Sequence, residues 1–98
     1  MVIIFSSDAI QDLINIANYT LDNWGLAQAL KYNKKLENAY QKIRQNPTHT
    51  LTKARPDIRQ NVRTLNVGKH VIIYHLKNAA TVEIVRILHQ SMDYKRHL

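Results

Sequence analysis

Residues 61–76 read NVRTLNVGKHVIIYHL, and this stretch decides the fold class. Apolar and polar residues alternate through residues 61–67, and residues 70–76 form a second strand-like run after Gly68-Lys69. A period of two is typical of β-strands, and a short glycine-containing break between two such runs favours a hairpin. Another β-branched run covers residues 81–88 after a polar turn. The sequence therefore predicts a three-stranded antiparallel meander.

Two amphipathic helices are predicted before the meander. Ser6-Ser7-Asp8 is an N-cap cluster, and Gly25 fits a helix C-terminus. Between them, one apolar face at helical spacing is formed by Ile10, Leu13, Ile14, Ala17, Leu21 and Trp24. A second helix follows and ends at Asn46-Pro47, because proline cannot continue the hydrogen-bond ladder. We expect an antiparallel helical hairpin, with Trp24 packed at its turn.

The remaining segments complete a single α+β domain over residues 1–98. The β-branched run Val2-Ile3-Ile4-Phe5 predicts an N-terminal strand, and residues 48–60 predict a polar, cationic loop. Residues 81–88 are apolar on both faces, which is typical of a central strand covered by helices. Residues 89–98 form a polar tail with room for one helical turn. The expected architecture is a strand, a helical hairpin and a meander, giving a four-stranded, mainly antiparallel sheet.

Length and composition limit the class of protein. A chain of 98 residues can bury one core without disulfides, and the absence of cysteine fits a reduced cytoplasm. No apolar run approaches the roughly 20 residues that a membrane span needs, and the N-terminus shows no signal-peptide pattern. We therefore expect a cytoplasmic protein with no membrane partner.

Charge is distributed unevenly along the chain. Residues 1–30 hold three Asp and no Lys or Arg, whereas residues 31–98 hold all fourteen Lys and Arg against four Asp and Glu. A cationic field of this kind attracts nucleic acid or an acidic protein segment. The charge pattern alone leaves both partners open.

No metal or cofactor site is predicted. The five histidines include no pair at the four-residue helical spacing, and no carboxylate cluster accompanies them. The chain has neither a Gly-rich phosphate loop nor a nucleophile elbow around a serine. Metal-dependent and acyl-transfer chemistry are therefore disfavoured.

Arg63 and Arg86 are the strongest candidates for a binding site. Each lies inside an apolar strand, where an unpaired guanidinium is costly to bury. A concave sheet face could hold both, with further polar residues at its mouth, namely His89, Tyr94, Lys95 and Arg96. The alternative is an ordinary intramolecular partner for each arginine, such as Glu83, Asp57 or Asp93. Tyr74 either joins this surface or packs in the core, and strand-period aromatic residues favour the core.

The order of elements and several motifs closely resemble the ParE toxins of the ParE/RelE superfamily over nearly the whole chain. The most specific motif is Arg86-Ile87-Leu88-His89-x-x-Met92-Asp93, preceded by Ile84. The other motifs are Ala9-x-x-Asp12-Leu13-x-x-Ile16, Trp24-Gly25, Ala29-x-x-Tyr32-x-x-x-Leu36, Asn46-Pro47, Arg63 and His70-x-Ile72-x-Tyr74. The chain departs from the family at Ser7 or Asp8, where proline is common, and at Thr48 and Val62, where glycine is common.

The resemblance implies the toxin of a bacterial type II toxin-antitoxin pair that inhibits DNA gyrase without being an enzyme. It also implies neutralisation by an acidic ParD-like antitoxin. The residues expected to bind antitoxin or target are Arg63, Tyr74, Arg86, His89, Lys95 and Arg96.

The RelE branch of the same superfamily supplies an enzymatic alternative, ribosome-dependent cleavage of messenger RNA. Such chemistry needs a general base, a general acid and cations for the phosphorane charge. The positions that resemble those of RelE-like nucleases are Arg63, Arg86, His89, Tyr94 and Lys53. A third class, a basic DNA-binding module, is disfavoured because no recognition helix stands out.

Overall fold

The computed structural model describes residues 1–98, with a mixed sheet packed against two long helices. In chain order the elements are β1 (Val2–Phe5), α1 (Ser7–Trp24), α2 (Leu26–Gln45), β2 (Lys53–Ala54), β3 (Val62–Val67), β4 (His70–Leu76), β5 (Thr81–His89) and α3 (Tyr94–His97). None of the helices combines the length and the apolar composition that crossing a membrane requires.

The sheet has five strands in the order β1-β5-β4-β3-β2. Strands β3, β4 and β5 pair antiparallel, which confirms the predicted meander, and β5 lies inside the sheet as its two-sided apolar pattern indicates. The prediction of four strands is wrong, because β2 forms within the predicted loop and pairs antiparallel with β3. The β1 strand pairs with β5 in parallel, so the N-terminal strand lies at one edge of the sheet.

The helical hairpin is confirmed. Local chemistry explains both the start of α1 and the turn between α1 and α2. The Ser6 hydroxyl accepts a hydrogen bond from the Ala9 N–H at 3.0 Å and donates to the Val85 carbonyl at 2.6 Å, which caps α1 and ties it to β5. Gly25 separates the two helices with a φ of +87°, a conformation that favours glycine.

The face by which α1 packs differs from the prediction. Ala9 and Thr20 are buried and Leu13 and Ile16 are half-buried, so the inward stripe lies beside the predicted one. The residues left exposed include Ile10, Ile14, Leu21 and Trp24. Trp24 is 67% exposed, so the prediction that it packs at the helix turn is wrong.

Two apolar clusters lie on the two faces of the sheet. The larger one, between the sheet and the helices, is formed by Ala9, Leu36, Ala39, Ile43, Leu65, Ile72, Tyr74, Val82, Ile84 and Ile87. We call this side the helix-covered face. The smaller cluster joins Val62, Val71, Ile73 and Leu88 to the half-buried Ile58 and Tyr94. We call that side the opposite face, and it is covered by the loop after β2 and by α3.

Candidate functional site

The predicted groove shared by Arg63 and Arg86 does not exist. In the sheet register Arg63 lies opposite Tyr74, whereas Arg86 lies opposite Ile73. Neighbouring residues of a strand point to opposite faces of a sheet. Tyr74 belongs to the helix-covered cluster and Ile73 to the other, so the two arginine side chains leave the sheet on opposite faces.

Arg86 is held by Asp12 of α1. Its Nε and Nη2 atoms donate to the two carboxylate oxygens of Asp12, each at 2.8 Å, and its Nη1 donates to the His97 carbonyl at 2.8 Å. The hydrogen bonds to Asp12 raise the pKa of Arg86. Asp12 Oδ2 also accepts the Ile87 N–H at 2.9 Å. The guanidinium is therefore part of an internal ion pair that joins α1, β5 and the C-terminal segment.

The carboxylates considered from sequence as partners of the strand arginines bind other cations. The observed ion pairs are Glu83 with Lys77, Asp57 with Arg55, and Asp93 with Arg96. The alternative to a shared groove, an internal partner for each arginine, is what the structure shows, but the partners are Asp12 for Arg86 and the Thr52 hydroxyl for Arg63. Sequence reasoning missed Asp12, because it lies 74 residues from Arg86.

Arg63 and Tyr74 have structural surroundings. The Nε and Nη2 atoms of Arg63 donate to the Thr52 hydroxyl at 3.1 and 3.0 Å. Tyr74 is fully buried, and its hydroxyl donates to the Pro47 carbonyl. The core prediction for Tyr74 is therefore confirmed, and its placement on a binding surface is wrong because no part of it reaches solvent.

His89 belongs to a row of rings at one end of the helix-covered face. The His70 and His89 rings lie edge to face with centroids 5.5 Å apart, and the Tyr32 hydroxyl lies 2.5 Å from His70 Nδ1. On its other side His89 Nδ1 lies 2.8 Å from the Ser91 hydroxyl. Burial and the neighbouring His89 lower the pKa of His70.

Tyr94 covers the opposite face instead of projecting from it. Its ring packs against the smaller apolar cluster, and the Arg55 guanidinium carbon lies 5.1 Å from the ring centroid. Arg55 in turn donates two hydrogen bonds to Asp57, at 3.0 and 2.8 Å, which lower the pKa of Asp57 to about 2. The segment after β2 and the C-terminal segment are thus joined across this face.

Three of the predicted cations are exposed. Lys95 and Arg96 lie on α3, and Lys53 lies on β2. Lys53 and Arg86 lie in one cross-strand row of the sheet, through Thr64 and Ile73. Three strand spacings separate them, or about 14 Å. The residues that a nuclease would use are therefore divided, with Arg63 and His89 on one face and Lys53, Arg86 and Tyr94 on the other.

An exposed apolar surface on the helical hairpin was missed from sequence. Beside the exposed side chains of α1, Leu26 and Leu30 of α2 are 63% and 62% exposed. The available signal was the width of the apolar pattern in α1, where Leu13 and Ile16 share the helix with Ile10 and Ile14. A stripe that wide exceeds what one packed face can bury. We call this surface the hairpin patch, and its members are Ile10, Ile14, Leu21, Trp24, Leu26 and Leu30.

The arrangement offers surfaces for binding a macromolecule. No group of three or more His, Asp or Glu side chains is placed to hold a metal ion. The cations fall entirely within residues 31–98, whereas the acidic α1 carries no cation. Basic and apolar surfaces therefore lie side by side on the hairpin.

Comparison with known proteins identifies the family. Residues 3–94 match the family model described as the ParE toxin of the type II toxin-antitoxin system parDE. The chain belongs to the ParE toxin family. It is 36% identical over 86 residues to Toxin ParE1 of Mycobacterium tuberculosis, covering 88% of this chain and 86% of that one. It is 35% identical over 89 residues to Toxin ParE1 of Caulobacter vibrioides, covering 89% of this chain and 86% of that one.

A solved structure shares the ParE fold seen in this chain. A chain described as belonging to the chromosomal ParDE TA system from P. aeruginosa superposes with a TM-score of 0.75 and 22% identity. The match covers 91% of this chain and 95% of that chain. This ParE family member is accordingly a toxin of a type II toxin-antitoxin system with the α+β architecture of its relatives.

Proposed function

We propose that this ParE family toxin inhibits DNA gyrase in the bacterial cytoplasm and is neutralised by an acidic ParD-like antitoxin. Family membership supports the proposal, since the match extends over residues 3–94. The basic charge of residues 31–98 suits an acidic partner.

The observation that carries the choice of a non-enzymatic target is the separation of the nuclease-like residues. Arg86 is occupied by Asp12 and Arg63 by Thr52, and the two side chains leave the sheet on opposite faces. A phosphorane transition state needs its cations and its general base around one reacting phosphate. The geometry therefore favours inhibition by binding over cleavage of messenger RNA.

The surface proposed to contact gyrase is the exposed cationic segment around α3. Lys95 and Arg96 project from it, and Arg96 is 84% exposed at its side chain. Arg63, Tyr74 and Arg86 make internal contacts, which supports a gyrase contact on α3 and not on the sheet. His89 lies at the start of the same segment and is proposed as its border.

The antitoxin is proposed to cover the hairpin patch. Six large apolar side chains exposed on one hairpin exceed the scattered exposure normal for a monomer. The exposed Lys31 directly follows Leu30 in α2, and with the basic charge of residues 31–98 it suits an acidic segment. Apolar contacts would supply the affinity, and the charges would raise the association rate.

A pair of assays with purified toxin tests the target. Supercoiling by gyrase should stop and linear cleavage product should accumulate, whereas message on translating ribosomes should stay intact. Codon-phased cleavage with gyrase unaffected would establish the RelE-like nuclease instead. The double variant Lys95→Ala with Arg96→Ala should weaken gyrase inhibition at least about 10-fold, the size expected when interface charges are lost. Its matched control, Lys31→Ala with Lys35→Ala, removes the same charge from α2 and should inhibit normally.

A further inference from the structure

The β1 strand has a free edge. It is the last strand of the sheet, and its only neighbour is β5. The Val2 N–H donates to the Ala80 carbonyl and the Ser6 N–H to the Ile84 carbonyl, at 2.8 and 3.0 Å. Because successive residues of a strand alternate in direction, the N–H and C=O groups of Ile3 and Phe5 point away from β5. An edge of this kind can accept another strand.

A groove runs between this edge and α2. It encloses about 280 Å³, and its floor includes Ile3 and Phe5. The α2 side chains along it are Lys34, Glu37, Asn38, Tyr40, Gln41 and Arg44. Glu37 is already engaged, since it accepts from the Asn33 amide at 3.3 Å and lies 3.9 Å from Lys34. The groove therefore combines a net positive charge with amide donors.

Tyr40 gives the groove an unsatisfied polar group. Its hydroxyl is buried and has no hydrogen-bond partner. The ring is fixed edge to face against Phe5, with centroids 5.1 Å apart. Burial, followed by the Glu37 carboxylate, raises the pKa of Tyr40 to about 12, so the group stays a neutral donor. A buried hydroxyl without a partner is unfavourable, and an acceptor placed in the groove would relieve it.

We propose that an acidic, extended segment of the antitoxin adds to the free edge of β1 as a sixth strand and places a carboxylate in the groove beside Lys34 and Arg44. The inference rests on the proposed function for the identity of the partner. Main-chain hydrogen bonds to Ile3 and Phe5 would hold the segment, and the groove would select acidic side chains.

Charge complementarity distinguishes the antitoxin from a second copy of this chain as the occupant. Two copies joined edge to edge would bring the Lys34 and Arg44 groups of both grooves together. Like charges in such proximity oppose association. An acidic segment instead gains two charge-assisted hydrogen bonds at the same positions.

Amide hydrogen exchange followed by NMR tests the edge directly. The probe is a ten-residue synthetic peptide in which Glu alternates with Val, added in excess to the purified toxin. In the free toxin the Ile3 and Phe5 amides should exchange quickly, and in the complex they should slow at least about 100-fold, as hydrogen-bonded strand amides do. Protection of both amides in the free toxin, increasing with its concentration, would assign the edge to a second copy and overturn the proposal.

Matched variants test the groove. Lys34→Glu with Arg44→Glu should weaken the complex at least about 30-fold, whereas Lys53→Glu with Lys69→Glu, the same charge change at exposed positions outside both proposed antitoxin surfaces, should weaken it less than about 5-fold. Tyr40→Phe should weaken it about 5-fold while leaving the free toxin at least as stable as before.

The outcomes separate the two proposals. A complex that forms while Ile3 and Phe5 stay unprotected, or that tolerates Lys34→Glu with Arg44→Glu, overturns the strand addition and leaves the proposed function standing. Failure of the acidic peptide to bind a toxin that still inhibits gyrase overturns the strand addition alone, whereas failure of the toxin to inhibit gyrase overturns the proposed function. Inhibition of gyrase by the free toxin is measured separately. Neither Lys34→Glu with Arg44→Glu nor Tyr40→Phe should change it.

Discussion

At the scale of single residues, Asp12 links three parts of the chain. Its carboxylate receives two hydrogen bonds from Arg86 and one from the Ile87 N–H. Both side chains of the ion pair are largely buried, at 18% and 11% exposed. A partly buried pair contributes mainly through what happens when one member is lost, because the other is left without a partner.

Replacing Asp12 therefore gives the largest stability effect expected from any single charged residue. Asp12→Ala should lower the free energy of unfolding by about 2–3 kcal/mol, measured by urea denaturation. Asp22→Ala, an exposed change in the same helix, should stay within about 0.5 kcal/mol. Adding Arg86→Met to Asp12→Ala should recover part of the loss. An Asp12→Ala protein as stable as the Asp22→Ala control would contradict the ion-pair account.

His70 makes stability depend on pH. Its pKa is lowered by burial and by His89, partly offset by Asp12. The unfolded chain therefore binds a proton more readily than the native chain, and the free energy of unfolding should fall as the pH drops below about 6.5. In His70→Gln this decline in the free energy of unfolding should be smaller than in the wild type. Urea denaturation at several pH values measures the free energy of unfolding. The same pH dependence in His70→Gln and in the wild type would disprove the role of His70.

At the scale of elements, α1 shows how far an apolar pattern can mislead. Two stripes run along this helix, and the sequence does not say which one meets the sheet. Ser6 settles the choice, because its hydroxyl ties the start of the helix to the Val85 carbonyl and so fixes its rotation. The helix bounds were predictable from Ser6 and Gly25, which act locally. The packed face depends on a contact 79 residues away.

Trp24 and Leu36 should separate stability from antitoxin affinity. Trp24→Ser, at a 67% exposed position, should change the free energy of unfolding by less than about 0.5 kcal/mol. It should nevertheless weaken antitoxin binding at least about 10-fold, because aromatic residues dominate interface energetics. Leu36→Ala, at a 2% exposed position, should cost about 2–5 kcal/mol of stability. Denaturation and titration calorimetry measure the two quantities, and unchanged affinity in Trp24→Ser would remove the hairpin patch from the antitoxin interface.

The β2 strand could not be predicted from residues 48–60. It contains two residues, and both are exposed. The Thr52 hydroxyl, just before β2, accepts a hydrogen bond from Arg63, which lies 11 residues later in the chain. The β2 strand forms because β3 offers an open edge and the Arg63 side chain as a hydrogen-bond donor. The sequence of β2 itself has no alternation of apolar and polar residues. The meander was predictable because residues 61–88 carry the period themselves.

At the scale of the whole molecule, the cations and the exposed apolar surface come from different parts of the chain. All fourteen cations lie after residue 30, and the hairpin patch lies within the first thirty residues. The candidate site was predictable only as a list of residue types. Their division between two faces depends on strand register. The single register step between β4 and β5, at Ile73 and Tyr74, places Arg86 on the opposite face from Ile84, whereas Arg63 follows the regular pairing of β3 with β4.

The mixed apolar and basic character of the proposed antitoxin interface predicts partial salt sensitivity. Between about 0.1 M and about 1 M salt the screening length falls from about 10 Å to about 3 Å. We expect the antitoxin complex to weaken about 10- to 100-fold over this range, mostly through slower association, and to persist because apolar contacts are not screened. Surface plasmon resonance at stepped ionic strength measures both rates. Complete dissociation in high salt would indicate a purely electrostatic interface.

The parallel pairing of β1 with β5 governs when the toxin can exist as a folded molecule. Its register joins Val2 to Thr81 and Phe5 to Ile84, so the first strand finds its neighbour only after most of the chain has been made. Contacts between residues this distant in sequence form slowly. The ribosome also synthesises β1 long before β5. During synthesis the hairpin is complete while the sheet is not. Translation itself thus delays the appearance of the folded toxin until β5 has been synthesised.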